Sequence, residues 1–438
     1  DSASIGDTII VRDGTYYENV VVNKKLTIKS ENGSAYCIVD GSGSTVFTLE
    51  ADGIRIEGFS ITGGRDGIYI RSNNNIISNN TISSNNDCGI CLTDSNNNII
   101  SNNLISSNNN HGIYSYFYES NNNSIFNNII SNNNLGIYLE GNNNIISNNI
   151  VSSNNGCGIS LKGNNNSISN NIISSNSYGI GLEGNNNSIF NNTISLNSYY
   201  GIGVGMSLWR SNNNSISKNN ISSNDYGILL SDSNNNSISN NEFMNDGLSV
   251  YDSYGNIVED NKVNGKPLVY LEDESNKIID DAGLVILVRC KNITVMNAEL
   301  TNTDVGIELW QSDNCLISQN NISNNWVGID LDDSNNNSIS NNNINSNWDG
   351  ISLYESNDNI IYLNNFINNI YNAISYDSTN IWNSTEPIKY TYRGSEFKNY
   401  MGNYWDDYTG SDANGDGIGD TPYSIDSDKD NYPLIERF

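Results

Sequence analysis

The sequence has little of several residue types on which catalysis and binding often depend. Its 438 residues include 4 Pro, 4 Met and 1 His, and 20 Lys and Arg stand against 49 Asp and Glu, giving a net charge of −29. Because His111 stands alone, no Ser–His–Asp set and no histidine cluster for a metal can be assembled. The acidic balance repels nucleic acid. No apolar stretch is long enough to cross a membrane as a helix.

Hydrophobic residues make up 36% of the chain, and low hydrophobicity with high net charge is usual in disordered proteins. The scarcity of proline and the regular placement of isoleucine argue against disorder here. Gly–Ile pairs begin at positions 67, 89, 112, 136, 158, 179, 201 and 227, and again at 306, 328 and 350. This regular recurrence indicates a repeat architecture, with larger insertions at 114–120 and 203–210.

Each repeat contains very short stretches in which apolar and polar residues alternate. Ile168 lies between Ser167 and Ser169, and one residue separates Ile180 from Leu182. This period of two predicts strands of about three to five residues. The Asn and Gly residues between them tolerate the positive φ of sharp corners. We therefore predict an all-β fold, a parallel β-helix (a solenoid) whose coils of about 22 residues stack at roughly 4.8 Å.

The abundant asparagine is expected to be structural, because stacked Asn side chains can hydrogen-bond from coil to coil as ladders. The residue before each Gly–Ile pair should form another column along the coils. Its members are Asp66, Cys88, His111, Leu135, Cys157, Tyr178, Tyr200, Tyr226, Val305, Val327 and Asp349. The consecutive tyrosines of this column predict a packing ladder, and a sugar-binding strip is the alternative.

The chain changes character in its middle and at its end. Residues 255–300 depart from the Asn pattern, and we interpret them as modified coils within one β-helix over residues 1–380; a domain boundary is the alternative. Residues 381–438 are rich in aromatic side chains. An open β-helix end must be covered, so this segment predicts an irregular, aromatic-rich C-terminal cap. The abrupt start at Asp1 predicts a secretion signal and a capping segment upstream.

One sharp motif lies in the C-terminal segment, DANGDGIGD at 412–420. Oxygen-bearing side chains alternate, a glycine follows and a further aspartate comes later, as at positions 1, 3, 5, 6 and 9 of a calcium loop. Tyr423 occupies the position of the usual bidentate Glu, so a complete EF-hand is not expected. We predict a structural calcium ion; an acidic surface turn is the alternative. The predicted ligands are Asp412, Asn414, Asp416, Ile418 through its carbonyl, and Asp420, with Asp426, Asp428 and Asp430 nearby to complete the shell.

The chain contains 6 cysteines, and an even number of cysteines in a secreted protein suggests disulfides. The repeat phase argues against most pairings. Cys88 and Cys157 share a column but lie three coils apart, and strand alternation would turn Cys88 and Cys91 to opposite faces. Cys290 and Cys315 are out of register for neighbouring coils. We predict that these cysteines, together with Cys37, are small core residues.

Coils of the type NNNSISNNIISSN followed by GI, the segment NGKPLVYLED and the ending GNYWDDYTGSDANGDGIGDTPYSIDSDKDNYPLIERF together resemble NosD-like proteins. The resemblance covers nearly the whole chain. It implies a right-handed parallel β-helix of the carbohydrate-binding and sugar-hydrolysis type, secreted or at the surface, as is common in methanogenic archaea. The family name comes from a periplasmic accessory protein for copper loading. Copper sites use Cys, His or Met ligands. The sequence contains no cluster of His or Met residues, which argues against a copper role.

Two classes of function remain open. The first is a non-catalytic extracellular surface protein that binds polysaccharides or cell-surface glycans, or associates with itself through its ends. The second is a carbohydrate-active enzyme, a polysaccharide lyase, hydrolase or epimerase. Asp330, Asp332 and Asp333, with Asp349 one coil on, form an acidic patch whose paired carboxylates could serve a glycosidase, or could simply be a solvated face. Another charged group comprises Arg55, Glu57, Arg65, Asp66 and Arg71. The first class is favoured because the coils differ mostly by exchange of Asn and Ser.

Overall fold

A computed structural model describes residues 2–115, 119–204 and 211–437. All regular elements among these residues are β-strands, and nearly all neighbouring strands pair in parallel, as the coils of a solenoid do. The predicted all-β parallel solenoid is therefore confirmed. The predicted insertions at 114–120 and 203–210 fall in part outside the described residues. The chain divides into two compact units, residues 1–241 and 242–438.

In the first unit each coil contributes one short strand to each of three parallel sheets. The first sheet contains Thr8–Val11, Thr27–Ser30, Arg55–Glu57, Ile76–Ser78, Ile99–Ser101, Ser124–Phe126, Ile145–Ser147, Ser167–Ser169, Ser188–Phe190, Ser215–Ser217 and Ser237–Ser239. The second contains Gly14–Tyr17, Cys37–Asp40, Ser60–Thr62, Thr81–Ser83, Leu104–Ser106, Ile129–Ser131, Ile150–Ser152, Ile172–Ser174, Thr193–Ser195 and Asn220–Ser222. The third contains Val20–Val22, Phe47–Leu49, Ile68–Ile70, Cys88–Leu92, His111–Ser115, Leu135–Glu140, Cys157–Lys162, Tyr178–Glu183, Tyr200–Val204 and Tyr226–Ser231.

The core of this unit is a column of aliphatic side chains in register. Ile125 pairs with Ile100 on one side and with Ile146 on the other, and all three are fully buried. The flanking positions of each three-residue strand face outward, as the period of two requires. A coil can therefore stack on its neighbours with very few apolar residues, which explains the low hydrophobic content.

Asparagine shapes the corners and joins the coils. Asn127 sits at a corner with φ of 56°, a conformation that Asn tolerates better than most residues. The next residue, Asn128, is buried, and its amide donates to Oδ1 of Asn149 at 3.0 Å. The same Oδ1 accepts the backbone N–H of Asn128 at 2.9 Å. Repetition of this arrangement from coil to coil confirms the predicted ladders.

The second unit also has a solenoid pattern, with three parallel sheets of its own. The sheet of longer strands, called here the long-strand sheet, contains Lys266–Glu272, Leu284–Val288, Val305–Trp310, Val327–Asp332, Asp349–Tyr354 and Tyr371–Tyr376. A second sheet contains Ile278–Ile279, Thr294–Met296, Leu316–Ser318, Ser338–Ser340 and Ile360–Tyr362, and a third Glu299–Thr301, Asn321–Ser323, Asn343–Asn345, Asn365–Ile367 and Tyr404–Trp405. The remaining strands are Glu242–Met244, Leu248–Tyr251, Ile257–Glu259, Lys262–Val263, Ile388–Tyr392, Ser395–Asn399, Tyr423–Ile425 and Asp428–Asp430.

Aromatic side chains close one end of the core in the second unit. Trp405 stacks on Phe366 with ring centroids 4.4 Å apart, and both are buried. The indole N–H of Trp405 donates to Asp430 at 3.0 Å, and that of Trp382 donates to Asp428 at 3.1 Å. Asp428 and Asp430, which were predicted to lie near the calcium loop and complete its ligand shell, thus accept hydrogen bonds from indole groups at the end of the core. A separate cap over 381–438 stays a prediction.

The prediction that Cys88 and Cys91 face opposite ways is wrong, because they form a disulfide with Cα atoms 5.9 Å apart. The reason lies in the Gly–Ile pair between them. Ile90 is buried in the core, and a Cβ added at Gly89 would also point inward, toward Ile105. Since both middle residues face inward, alternation is interrupted and the two cysteines share the outer face. The other four cysteines are buried and free. Cys290 and Cys315 lie in the hydrophobic core as predicted, whereas the prediction is wrong for Cys157, which lies in the outward column beside Gly181.

Candidate functional site

The same interruption of alternation defines the outer face of the long-strand sheet. In Val327–Asp332 the side chains of Ile329 and Leu331 are buried in the core, so Asp330 and Asp332 point outward. Glu308 pairs in register with Asp330 on the neighbouring strand. Asp349 lies one coil further on, at the start of its strand. We call the surface formed by Glu308, Asp330, Asp332 and Asp349 the carboxyl face.

Residues 248–254 cover one end of the carboxyl face. The backbone N–H of Val250 donates to both oxygens of Glu308, at 3.3 and 3.4 Å, and Glu308 is only 6% exposed. Beside it, the indole N–H of Trp310 donates to the hydroxyl of Tyr254 at 2.8 Å, and Tyr251 packs edge-on against the same indole. Burial raises the pKa of Glu308 well above its usual range, and the neighbouring Asp330 raises it further.

The remaining carboxyls of this face also hold protons more tightly than usual. Burial raises the pKa of Asp330 to about 6, with a smaller contribution from Asp349 and an opposing hydrogen bond from Ser352. Burial, followed by the charge of Asp330, raises the pKa of Asp332 to about 6. Burial also raises the pKa of Asp349. Its Oδ1 has no hydrogen-bond partner within the described part of the chain. Burial is thus the largest cause of the raised pKa at every carboxyl of this face.

Exposed aromatic pairs lie at both edges of the carboxyl face. Trp326 and Trp348 directly precede two of the long strands; their rings are 4.8 Å apart and nearly parallel, and they are 41% and 43% exposed. At the other ends of the strands, Tyr354 and Tyr376 stack at 5.5 Å and are 43% and 59% exposed. The six residue steps from Trp348 to Tyr354 span about 20 Å of strand. Offset rings of this kind leave part of their apolar faces accessible to a ligand.

Part of this site is predicted by the sequence pattern. The structure brings Asp330, Asp332 and Asp349 together as predicted, but Asp333 lies in an exposed corner with φ of 51° and is not on the face. Glu308 was missed. It occupies the position of Asp330 one repeat earlier, so reading the second residue after each glycine of the repeat as a column would have found it.

The early charged group is accounted for by two ion pairs and by Arg71, whose guanidinium lies over the ring of Tyr69 at 4.9 Å. Arg55 contacts Glu57 at 2.8 Å, and Arg65 contacts Asp66 at 2.7 Å. Charges of this kind are already paired with one another, which makes them poor candidates for acid–base catalysis. They are better explained as surface and half-buried pairs within the first unit.

The predicted calcium loop is anchored to the hairpin formed by Ile388–Tyr392 and Ser395–Asn399. The hydroxyl of Tyr390 donates to the backbone oxygen of Asp416 at 2.9 Å, and a Cβ at Gly417 would collide with the ring of Tyr392. The two oxygens of Asp412 accept the backbone N–H groups of Asp416 at 3.0 Å and Gly417 at 2.9 Å. Burial and the nearby aspartates raise the pKa of Tyr390 to about 12.

The predicted ligands of this loop are partly engaged with the loop itself. Oδ2 of Asp420 accepts the hydroxyl of Ser411 and the N–H of Ala413, each at 2.9 Å. The amide of Asn414 donates to Asp416 at 3.1 Å. Each oxygen of Asp412 accepts one hydrogen bond and keeps a second lone pair for a cation, whereas Oδ2 of Asp420 already accepts two. The carboxylates of this loop do not, however, meet within 4.8 Å as a group of three in the described residues.

In the described residues, one group of three metal-ligating side chains does have its ligand atoms within 4.8 Å of one another. Its members are Asp66, Cys88 and Cys91. All three are buried. Sγ of Cys91 lies 3.5 Å from Oδ1 of Asp66. His111 pairs in register with Cys88 on the next strand, and its ring stacks on Tyr114 at 4.2 Å. We call Asp66, Cys88 and Cys91 the cysteine–aspartate cluster.

The parallel coils, the Asn ladders and the outward columns define this chain as a parallel β-helix protein. Residues 20–173 match the family described as "Right handed beta helix region", which confirms the predicted handedness. Residues 115–267 and 245–410 match the family described as "Periplasmic copper-binding protein (NosD)". The chain therefore belongs to the NosD family. In the described part of the chain, no helix has the length and apolar character needed to cross a membrane.

A stretch of 71 residues is 46% identical to a protein named "Cell surface glycoprotein" from Methanothermus fervidus, and it covers 16% of this chain and 12% of that protein. Among solved structures, DFA-IIIase from Arthrobacter chlorophenolicus A6 has 12% identity and a TM-score of 0.47, covering 66% of this chain and 83% of that one. Alginate lyase from Paenibacillus sp. str. FPU-7 has 16% identity and a TM-score of 0.39, covering 60% and 94%. Likeness at this level carries no argument about activity.

The family description names copper, a metal with marked ligand preferences. Copper(I) prefers thiolate, thioether and imidazole ligands. Within the described residues, the cysteine–aspartate cluster is the group that offers sulfur ligands together. Both sulfurs are joined in a disulfide, which provides no thiolate. In this oxidised form the cluster does not fit copper.

Proposed function

We propose that this chain is part of an extracellular surface protein that binds neutral glycans along the carboxyl face. The observation that carries the proposal is the presence of exposed stacked aromatic pairs at both edges of a face rich in hydrogen-bonding carboxyls. Sugars combine apolar C–H surfaces, which pack on aromatic rings, with hydroxyl groups, which carboxyls bind. The surface location is supported by the relative named as a cell surface glycoprotein and by a family described as periplasmic.

The charge of the site narrows the class of ligand. With a net charge of −29 on the chain and several carboxyls on the face, an acidic polysaccharide would be repelled in the absence of a bridging cation. Because burial raises the pKa values of Asp330 and Asp332 to about 6, these carboxyls become protonated as the pH falls to about 6, and they can then donate as well as accept hydrogen bonds. A neutral glycan, which offers both donors and acceptors, is the best match. Self-association through the ends stays a prediction.

Binding can be tested by isothermal titration with neutral, amino-sugar and uronate oligosaccharides. We expect a neutral oligosaccharide to bind, and Trp348→Ala to weaken it about tenfold, equivalent to about 1.4 kcal/mol. Tyr36→Ala is the matched control, since Tyr36 is 59% exposed in the first unit and should not contact the ligand. Equal loss in both variants, or no binding of any neutral oligosaccharide, would contradict the proposal.

A second candidate function is hydrolysis of a glycosidic bond on the same face. It is favoured by the upward-shifted pKa values of Asp330 and Asp332, each to about 6, because a glycosidase needs one protonated and one ionised carboxyl. Their Cα atoms are two residues apart on one strand, about 6.6 Å. Release of reducing sugar from neutral polysaccharides, lost in Asp330→Asn while binding persists, would support hydrolysis. Binding without any release would leave the surface-binding role alone.

We also propose that residues 412–420 bind one structural calcium ion. The proposal is supported by the order of oxygen ligands and by the anchoring of the loop through Tyr390 and Gly417. Calcium should raise the thermal midpoint of unfolding, and a chelator should reverse the effect. Asp412→Asn should reduce the calcium response. Ser424→Ala, at an exposed side chain in the neighbouring hairpin, is the control. A midpoint that does not respond to calcium would contradict this proposal.

A further inference from the structure

We propose that the free edge of the strand Ile388–Tyr392 is a docking site for an acidic peptide in an extended conformation. The peptide adds to this edge as a further strand, in the way that several peptide-recognition domains extend a sheet. The site lies within the second unit and shares no residue with the carboxyl face. It is therefore independent of the glycan proposal, and either proposal can fail without the other.

The turn of the hairpin fixes which backbone groups of this strand face outward. Arg393 and Gly394 have φ of 46° and 83°, as in a two-residue type I′ turn. The residues that flank such a turn, here Tyr392 and Ser395, form a hydrogen-bonded pair. Hydrogen-bonded and non-hydrogen-bonded pairs then alternate along the hairpin. Every second residue of the strand therefore directs its backbone N–H and C=O away from the partner strand.

Lys389 and Thr391 are the residues whose backbone groups face outward. They pair in register with Lys398 and Glu396, one position away from the hydrogen-bonded pairs, and both are exposed. Among the described residues, no hydrogen bond from outside the hairpin reaches the N–H or C=O of either residue. Two donors and two acceptors thus line this edge at the two-residue spacing of a β-strand, which the backbone of an extended peptide matches.

A cavity beside the strand supplies the second observation that points to a ligand. Its volume is about 430 Å³, and Leu434, Glu436 and Arg437 line it together with the strand. Met401 and Leu434 contribute buried apolar side chains to the lining, against which an apolar side chain of a peptide can pack. A segment packed directly on the edge would block an added strand. The cavity instead leaves this edge open to a partner.

The charge around the cavity selects an acidic peptide. Lys389, Arg393 and Arg437 line the cavity, and the carboxylate of Glu436 is already paired with Arg393 at 3.1 Å. Lys389 and Arg437 form no ion pair within the part of the chain that the structure describes. Such a local excess of positive charge contrasts with the 20 Lys and Arg against 49 Asp and Glu of the whole chain. It favours carboxylate side chains on the bound peptide.

The test uses the full chain and the fluorescence anisotropy of labelled synthetic peptides. Calcium is present, because the aspartates of the loop at 412–420 otherwise add negative charge near the strand. The probe is a capped pentapeptide of alternating Asp and Val. One matched peptide has Lys in place of Asp, and another keeps Asp but has an N-methyl group on every backbone amide. We expect saturable binding of the probe below about 1 mM, and at least about tenfold weaker binding of both matched peptides.

Variants assign the binding to this edge of the hairpin. Thr391→Pro removes an N–H that faces outward on the cavity side and should weaken binding at least about tenfold. Glu396→Pro is the matched control, since Glu396 pairs with Thr391 and directs its N–H to the opposite edge. Arg437→Gln should weaken binding about fivefold through the lost charge. The N-methylated peptide needs no mutation, so it tests the backbone hydrogen bonds even if a proline variant folds poorly.

Four results would each overturn the proposal. They are a wild type that does not bind the acidic probe, equal binding of the N-methylated peptide, and a Thr391→Pro variant that is folded by circular dichroism yet binds as the wild type does. The fourth is displacement of the probe by a uronate trisaccharide as effective as that by unlabelled probe. That result would indicate a site for anions in general rather than for a peptide strand.

Discussion

Replacing a ladder asparagine should destabilise the protein far more than the size of the side chain implies. Asn128 is buried, and its amide donates to the carbonyl of Ile100 at 2.9 Å, the carbonyl of Phe126 at 3.1 Å and Oδ1 of Asn149 at 3.0 Å. Its Oδ1 accepts the backbone N–H of Asn103 at 2.9 Å and the amide of the same residue at 3.0 Å. Asn128→Ala removes all of these bonds and leaves their partners buried.

The expected magnitude follows from the number of bonds. A buried hydrogen bond contributes about 0.5–1.5 kcal/mol net, so loss of this set should cost about 3–7 kcal/mol of the free energy of unfolding. Domains are commonly stable by only about 5–15 kcal/mol, so the variant should be severely weakened. Because each coil contacts mainly its neighbours, the damage should be greatest in the coils that contain Asn103, Asn128 and Asn149.

The assay combines urea unfolding, followed by circular dichroism, with native-state hydrogen exchange. The exchange measurement is needed because long repeat arrays often do not unfold in two states. Asn134→Ala is the control, since Asn134 is an exposed asparagine of the same coil and should change stability by no more than about 0.5 kcal/mol. The reasoning is refuted if the two variants are equally stable, or if Asn128→Ala exchanges no faster in the adjacent coils.

Further predictions concern backbone conformation, packing and pH. Leu196 has φ of 56° and is 62% exposed, so Leu196→Asn should relieve backbone strain and raise the free energy of unfolding by about 1 kcal/mol, measured by denaturant unfolding. Gly136→Ala should lower it by about 1–3 kcal/mol or more in the same assay, because the new Cβ would collide with the backbone oxygen of Gly158. Asp330 and Asp332 have pKa values raised to about 6, so the folded state binds more protons than the unfolded state between about pH 4 and 6. The thermal midpoint should therefore fall as pH rises through this range, and the double Asp→Asn variant should show a smaller fall.

The sequence was sufficient to predict the solenoid because one repeat specifies a whole coil. The in-phase isoleucines, such as Ile100 and Ile125, lie directly above one another, and the corner asparagines adopt positive φ as expected. Strict alternation failed at the Gly–Ile pair, where two adjacent residues face inward. That single departure concealed both the Cys88–Cys91 pairing and the position of Glu308 beside Asp330.

Other parts of the candidate sites depend on contacts that no periodic pattern describes. The buried carboxylate of Glu308 is hydrogen-bonded by the backbone N–H of Val250, which lies 58 residues away in the sequence. The indole of Trp405 reaches Asp430 across the irregular C-terminal segment, so the engagement of that carboxylate could not be inferred from the local DSDKD run. Such contacts are set by long-range packing, whereas repeat spacing reports only on neighbouring coils.

The Asn ladders bear on how proteins of this kind can change during evolution. Each ladder residue presents the same acceptor to the coil before it and the same donors to the coil after it. A gene duplication that inserts one complete repeat would therefore find compatible partners above and below, whatever its position in the array. Length can vary in whole turns while outward residues diverge freely, so that new surfaces arise without any redesign of the interior.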